Sequence, residues 1–137
     1  MSNSQAVGVA YSDPEFTTCY ATQEIGYSAA AQGAVTQLTS KSTGVTLNKS
    51  AGRITTDNSA LAGGAVATFI LTNSAISEND TLIVCLSRNS TGSAAGAYTV
   101  YVSYLAAGSA LISVRNLSAT SYSEALIINF AVIHGAS

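Results

Sequence analysis

Charged side chains are scarce in this sequence, with five Lys or Arg and seven Asp or Glu among 137 residues. They make up 9% of the chain, against about a quarter of an average soluble domain. No dense Lys/Arg cluster is present to neutralise phosphates, so we expect no nucleic-acid partner. No run of about 18 apolar residues occurs, so no membrane span is expected. The start MSNSQ lacks the features of a signal peptide, which predicts synthesis in a cytoplasm.

Residues that carry chemistry are also few. His134 is the only histidine, and no Gly-x-Ser-x-Gly elbow, phosphate loop or dinucleotide fingerprint occurs. The two cysteines, Cys19 and Cys85, have no metal-binding spacing and are expected to be free thiols. Cys85 lies in an apolar run, which predicts packing in the core. We therefore expect no enzyme, no metal site and no cofactor, with His134 as a surface histidine at the end of a strand.

Small and β-branched apolar residues make up much of the 47% that is hydrophobic. They form short runs separated by turn residues, at the spacing of about 8–12 residues that is typical of sandwiches and barrels. The runs are at 34–38, 44–47, 53–56, 66–72, 81–87, 97–105, 111–116 and 124–133. The turn-rich residues 28–31 and 59–62 could each form one helical turn. The pattern predicts an all-β fold, an antiparallel, jelly-roll-like β-sandwich.

Alternation within the runs predicts which side chains face the core. Ile54 is expected inward and Arg53 outward, while Ile112 and Val114 are expected on the face opposite Ser113. The runs 82–86 and 125–133 are apolar on both faces. These two are predicted to be central strands, or strands covered by the N-terminal segment or by a neighbouring subunit.

Residues 1–32 differ from the regular pattern that follows. They hold the only proline, Pro14, three acids and four aromatic residues, Tyr11, Phe16, Tyr20 and Tyr27. We interpret residues 1–32 as an extended N-terminal arm and residues 33–137 as the β-sandwich domain. The alternative is a pair of strands that packs locally on that domain.

Three of the five basic residues, Lys41, Lys49 and Arg53, lie within one short stretch. Since the N-terminal segment carries three of the seven acids, this asymmetry could align the chain against a partner of complementary charge. The alternative is a solvated face that protects an edge strand. Low charge together with high apolar content favours a surface that is partly buried by partners.

Three segments resemble small virion proteins of tailed bacteriophages: residues 36–49 (TQLTSKSTGVTLNK), 52–55 (GRIT) and 128–135 (INFAVIHG). Chains of this size in that group resemble capsid cement, or head decoration, proteins of the jelly-roll type. The resemblance spans residues 33–135 and leaves the first 32 unmatched.

The resemblance implies a structural protein on the capsid exterior that binds the major capsid protein and holds neighbouring subunits together. Self-association, most simply as a dimer, is the general expectation for such a subunit. Candidate contacts with the capsid or with another subunit are Tyr11, Phe16, Tyr20, Tyr27, Lys41, Lys49 and Arg53. The alternative function is a receptor- or glycan-binding module of a tail fibre or spike, with Tyr98, Tyr101, Tyr104 and Tyr122 available for stacking on sugars.

Overall fold

The computed structural model describes residues 17–92, 94 and 96–135, and these form an all-β sandwich. Their strands are β1 (Gln32–Thr36), β2 (Val45–Thr46), β3 (Ala51–Thr55), β4 (Ala60–Leu61), β5 (Val66–Thr72), β6 (Thr81–Asn89), β7 (Tyr98–Ala106), β8 (Ser109–Asn116), β9 (Tyr122–Ser123) and β10 (Leu126–Ile133). Sheet A has the order β1-β3-β10-β6, and sheet B has the order β2-β5-β8-β7. A third, two-stranded sheet pairs β4 with β9.

Both large sheets are mixed, whereas the sequence predicted purely antiparallel pairing. β1 pairs with β3 in parallel, and β2 pairs with β5 in parallel; the other pairs of the two large sheets are antiparallel. The reason is that the chain crosses from one sheet to the other after β1, β2 and β3. Between β1 and β3 the chain passes through β2 in sheet B, and between β2 and β5 it passes through β3 in sheet A. Each of these pairs is therefore separated by two crossings, which reverse the chain twice and return it to the same sheet in the same direction. The all-β sandwich is confirmed, and the jelly-roll assignment stays a prediction.

All eight predicted runs overlap strands, with bounds that differ by one or two residues at most ends, and the run at 66–72 matches β5 end to end. The two-residue strands β4 and β9 were not predicted. A helical turn at residues 59–62 was wrong, because Ala60–Leu61 pairs with Tyr122–Ser123 instead. The turn at 28–31 is present as a short 3-10 helix, Ala29–Ala31.

Alternating side chains from the two large sheets build the core. In β10, Leu126, Ile128, Phe130 and Val132 are buried, while the residues between them are half-buried. The expected inward positions of Ile54, Ile112 and Val114 are confirmed, since all three are fully buried. The other buried apolar residues of this core are Val45, Leu61, Ala67, Phe69, Leu71, Ile76, Leu82, Tyr98 and Ala110.

The strand β6 lies at the edge of sheet A, so the first of the two alternatives for its apolar run, a central strand, was wrong for β6. β10 does lie inside the sheet, between β3 and β6. Leu82 faces the core, whereas Ile83 and Cys85 face outward and are exposed. The prediction that Cys85 packs in the core was therefore wrong, because the two-residue period of a strand places it on the opposite face from Leu82.

Two glycines meet specific backbone demands. A Cβ on Gly52 would lie 2.8 Å from the carbonyl oxygen of Gly33, its partner in the parallel β1–β3 pair. Gly108 has φ +76° in the turn that joins β7 to β8, a conformation that glycine adopts without strain. These positions therefore favour glycine for the packing of β1 on β3 and for the tight turn.

The inward position of Ile54 and the outward position of Ile70 predict that truncating them lowers the free energy of unfolding by different amounts. Ile54→Ala should lower the free energy of unfolding by about 2–5 kcal/mol, because it leaves a cavity in the core. Ile70→Ala, a matched change at a half-exposed outward position of β5, should cost less than about 1 kcal/mol. Denaturant titration measures both values, and equal losses would contradict the assigned faces.

Candidate protein-interaction surface

The N-terminal segment from Thr17 to Ala30 is exposed at every residue. Tyr20 is 90% exposed and Ile25 is 86% exposed, so neither apolar side chain is buried by its own chain. Exposed apolar residues at this density are typical of a surface that another molecule covers. The segment is the described part of the predicted arm, and Tyr11 and Phe16 lie outside the described residues.

Three hydrogen bonds fasten the end of this segment to the sandwich. The Tyr27 hydroxyl donates to the carbonyl oxygen of Val132 in β10. Gln32 Nε2 donates to the Tyr27 carbonyl oxygen over 2.7 Å, and Lys49 Nζ donates to the Ala30 carbonyl oxygen over 2.9 Å. The predicted contact residues Tyr27 and Lys49 thus hold the base of the arm in place.

A depression of about 390 Å³ lies beside this base on sheet A. Tyr27, Gln32, Ala34, Ala51, Arg53 and Asn129 are among the residues that line it. Ala34, Arg53 and Asn129 are register partners on the outward face of three neighbouring strands, β1, β3 and β10. We call it the Arg53 depression. Of the predicted contacts, Tyr27 and Arg53 come together here.

Sequence reasoning missed Asn129 as part of this surface. The signal that was present is its position as the one polar residue within the apolar run of β10. A polar side chain that interrupts such a run marks a position facing away from the core. The small residues Ala34 and Ala51 carried no comparable signal, because alanine is common on both faces of a sheet.

Lys41 lies in the interior and not on the surface with the other candidates. It is 3% exposed, and its Nζ donates to the carbonyl oxygens of Asp57, Ser59 and Glu124 over 2.6, 2.7 and 2.7 Å. Burial lowers the pKa of the Lys41 ammonium, while the charges of Asp57 and Glu124 act in the opposite direction. Lys41 is therefore a structural residue of this fold, and a solvated position for it is wrong.

Other buried polar groups continue this network. Gln37 Nε2 donates to the Thr43 carbonyl oxygen over 2.8 Å, and its Oε1 accepts from the Asp57 amide over 3.1 Å. The buried Glu124 carboxylate accepts from Asn89 Nδ2 over 3.1 Å and from Thr91 Oγ1 over 2.5 Å. The network joins loops from both large sheets, and it makes this end of the sandwich a polar interior.

Two of the four tyrosines considered for sugar binding are used inside the protein. Tyr98 is buried, and its ring meets that of Tyr122 edge-on at 6.3 Å. Burial, followed by the Glu124 carboxylate, raises the pKa of Tyr98. Only Tyr101 and Tyr104 are exposed, and both lie on the outward face of sheet B.

The outward face of sheet B carries a chain of hydroxyl groups across three strands. Ser113 Oγ lies 2.8 Å from Thr68 Oγ1 and 3.0 Å from Ser103 Oγ, which in turn donates to the Leu111 carbonyl oxygen. Ser113 is buried by its neighbours even though it faces outward as predicted. The hydroxyl groups at the centre of this face are therefore hydrogen-bonded to one another, and the large apolar or aromatic residues exposed around them are Val66, Ile70, Tyr101 and Tyr104.

His134 follows β10 and is exposed, as the sequence predicted. Its Nδ1 lies 3.1 Å from Oδ2 of the buried Asp80. The Asp80 carboxylate also accepts from the amides of Ser77 over 2.7 Å and Gly135 over 3.1 Å. The Ser77 amide is the main cause that lowers the pKa of Asp80 to about 2, with Gly135 and His134 acting in the same direction. The pair thus closes the end of β10 onto the loop before β6.

Neither cysteine is bonded to the other, and both are exposed. Within residues 17–92, 94 and 96–135, no group of three or more His, Cys, Asp or Glu side chains could hold a metal ion. No helix in the same residues is long and apolar enough to cross a membrane.

Comparison with known proteins found no relative of this chain. No family model matches the chain, and neither a curated protein nor a solved structure is significantly similar to it.

The Lys41 network predicts a large stability loss from a change that keeps most of the side chain. Lys41→Met removes the ammonium donor from three carbonyl oxygens and should lower the free energy of unfolding by about 2–4 kcal/mol. Lys49→Met, which removes one exposed hydrogen bond, should change it by no more than about 0.5 kcal/mol. Denaturant titration of both variants is the measurement, and a tolerant Lys41 position would contradict the structural role.

The Asp80 carboxylate predicts an acid-dependent stability. Since its folded pKa is about 2 and so lies below its ordinary value, its stabilisation is present above pH 4 or so and is lost as pH falls towards 2. Asp80→Asn should therefore be less stable than the natural protein at pH 6, and the difference should shrink towards pH 2. Thermal melting from pH 6 to 2 measures this, with exposed Glu78→Gln as the control; a constant difference would contradict the assignment.

Proposed function

We propose that this protein is a structural virion protein that binds the outside of a phage capsid shell and joins neighbouring major capsid protein subunits. The observation that carries the proposal is the exposed arm. Residues 17–30 present Tyr20 and Ile25 to solvent and are tied to the domain only at their end. An extended apolar segment of this kind suits binding to a groove or sheet edge of a neighbouring protein, where main-chain hydrogen bonds add to side-chain contacts.

The surface of the sandwich supports the same function. The outward rows of β3, β10 and β6 contain Ala51, Ala131, Ile83 and Cys85, with Arg53 as a charged member. On sheet B, Val66, Ile70, Tyr101 and Tyr104 are partly or largely exposed. Both faces thus offer apolar area with little charge to desolvate, and protein interfaces are depleted in charge at their centres.

Repetition on a shell strengthens such binding. A capsid presents many equivalent sites, so a subunit that contacts both the shell and its own neighbours gains avidity beyond the affinity of one contact. A modest interface per copy is therefore sufficient for a cement protein. The resemblance at residues 36–49, 52–55 and 128–135 supports this placement on the particle.

Removal of residues 1–26 tests the role of the arm. This deletion spares Tyr27 and its hydrogen bond to Val132, so the sandwich should unfold within a few degrees of the natural melting temperature. Binding to emptied heads of the phage should fall at least about tenfold, because the exposed contacts are gone. Co-sedimentation of the purified protein with heads measures binding, and calorimetry measures folding.

Two point changes supply a sharper version with a matched control. Tyr20→Ser with Ile25→Ser should weaken binding to heads without changing stability. Leu38→Ser changes a residue that is 87% exposed but lies outside the arm, and it should bind as the natural protein does. Full decoration by both the deletion and the double variant would remove the basis of the proposal.

A second function rests on the exposed Tyr101 and Tyr104, which could stack on the rings of a sugar in a tail-fibre receptor module. Fractionation of virions distinguishes the two functions: a cement protein travels with tailless heads, and a fibre module travels with tails. Binding of Tyr101→Ala and Tyr104→Ala variants to bacterial surface glycans then tests the second function directly.

A further inference from the structure

Arg53 is a cation without an anionic partner in the part of the chain that the structure describes. The single ion pair there joins His134 and Asp80, and the Arg53 guanidinium makes no hydrogen bond to the described residues. No acidic side chain lines the Arg53 depression either. A planar guanidinium with five donors in this position is suited to a carboxylate.

The size and the lining of the depression suit a peptide segment. Its volume of about 390 Å³ lies within the range of about 300–1,000 Å³ that is usual for ligand clefts. Ala34 and Ala51 project outward beside Arg53, and their small side chains allow a main chain to approach the sheet closely. The Asn129 amide is a register neighbour of Arg53 and can both donate and accept hydrogen bonds.

The chain itself contains a segment of complementary charge. Asp13-Pro14-Glu15 lies between Tyr11 and Phe16 in the part of the sequence that precedes the described residues. Proline holds its own φ near that of extended chain and disfavours helix at the residue before it. The stretch therefore combines two carboxylates, an extended preference and two flanking aromatic rings.

We propose that the Arg53 depression of one copy binds the acidic stretch at residues 13–15 of a second copy, with Arg53 contacting a carboxylate. The inference extends the proposed function, on which it rests, by naming a partner for this face. Residues 17–26 are exposed and are not packed on their own domain, which favours a partner outside the chain. Reciprocal exchange of the two arms gives a symmetric dimer with two equal contacts.

Sedimentation equilibrium of the purified full-length protein tests the proposal. Asp13→Asn with Glu15→Gln, and separately Arg53→Gln, should each raise the dimer dissociation constant at least about tenfold, since each removes the same charge-assisted contact. Combining all three changes should have little further effect. Exchanging the charges of the two contacting groups, as R53E with D13K and E15K, should restore dimerisation. Raising NaCl from 50 to 500 mM should weaken the natural dimer, because salt screens the contact.

The matched control is Arg115→Gln, which removes an exposed arginine from the outward face of sheet B and should leave the dimer intact. Strict monomers at 100 µM natural protein, or dimers that are indifferent to Arg53→Gln, would overturn the proposal. A third result would also overturn it: a protein that stays monomeric, in which the Arg53 change and the Asp13 and Glu15 changes affect the melting temperature non-additively. In that case the arm binds its own domain. Decoration of heads is scored separately, so loss of capsid binding with an intact Arg53-dependent dimer would refute only the proposed function.

Discussion

The topology of this sandwich depends on polar side chains that hold the connections between its sheets. Among the strands of the two large sheets, only β7 and β8 are both consecutive and in the same sheet. Each other connection crosses from one sheet to the other, and its carbonyl groups cannot all be paired within a ladder. Unpaired buried carbonyls are costly, so side chains must supply the missing donors.

Three residues show how this demand is met. Lys41, in the connection after β1, donates to carbonyl oxygens of the connections before β4 and before β10. Asn73, after β5, donates to the Lys49 carbonyl oxygen over 2.8 Å. Asn116, at the end of β8, donates to carbonyl oxygens of Leu61 and Thr120 over 2.9 and 2.8 Å. Each of these side chains therefore links the strand or connection in which it lies to another part of the chain.

The alternation of apolar and polar residues was sufficient to predict the positions of the main strands and most of their inward faces. It did not predict features that depend on contacts between distant segments, such as strand order and pairing direction. Alternation identified Ile54 and Val114 as core residues, because a two-residue period is a property of the strand itself. It could not place β6 at an edge or pair β1 with β3 in parallel, since both depend on the order in which strands enter a sheet. Cys85 was assigned to the wrong face for a different reason: its run is apolar throughout, so alternation did not indicate which side chains point inward.

The candidate site shows the same difference between positions set by the local strand period and positions set by distant contacts. Lys41 and Arg53 are both cations in one basic stretch, and the sequence predicted the outward position of Arg53 but not the buried position of Lys41. Arg53 lies within a strand, where its neighbour Ile54 is committed to the core, so the strand period sends the guanidinium outward. Lys41 lies in a crossing, where the free carbonyls of two other connections surround its ammonium. One cation therefore stabilises the fold, and the other remains available for a carboxylate.

The contrast between a cation used inside the fold and one left available at the surface also explains why a low-charge surface suits assembly. A charge that is already satisfied by its own chain contributes nothing to partner choice, whereas an unpaired one on an apolar face contributes orientation as well as attraction. Arg53 lies beside Ala34, Ala51 and Asn129, and no acidic side chain lines its depression among the residues that the structure describes. With so few other ions on that face, one guanidinium can set the register of a bound segment while the apolar area supplies most of the binding free energy.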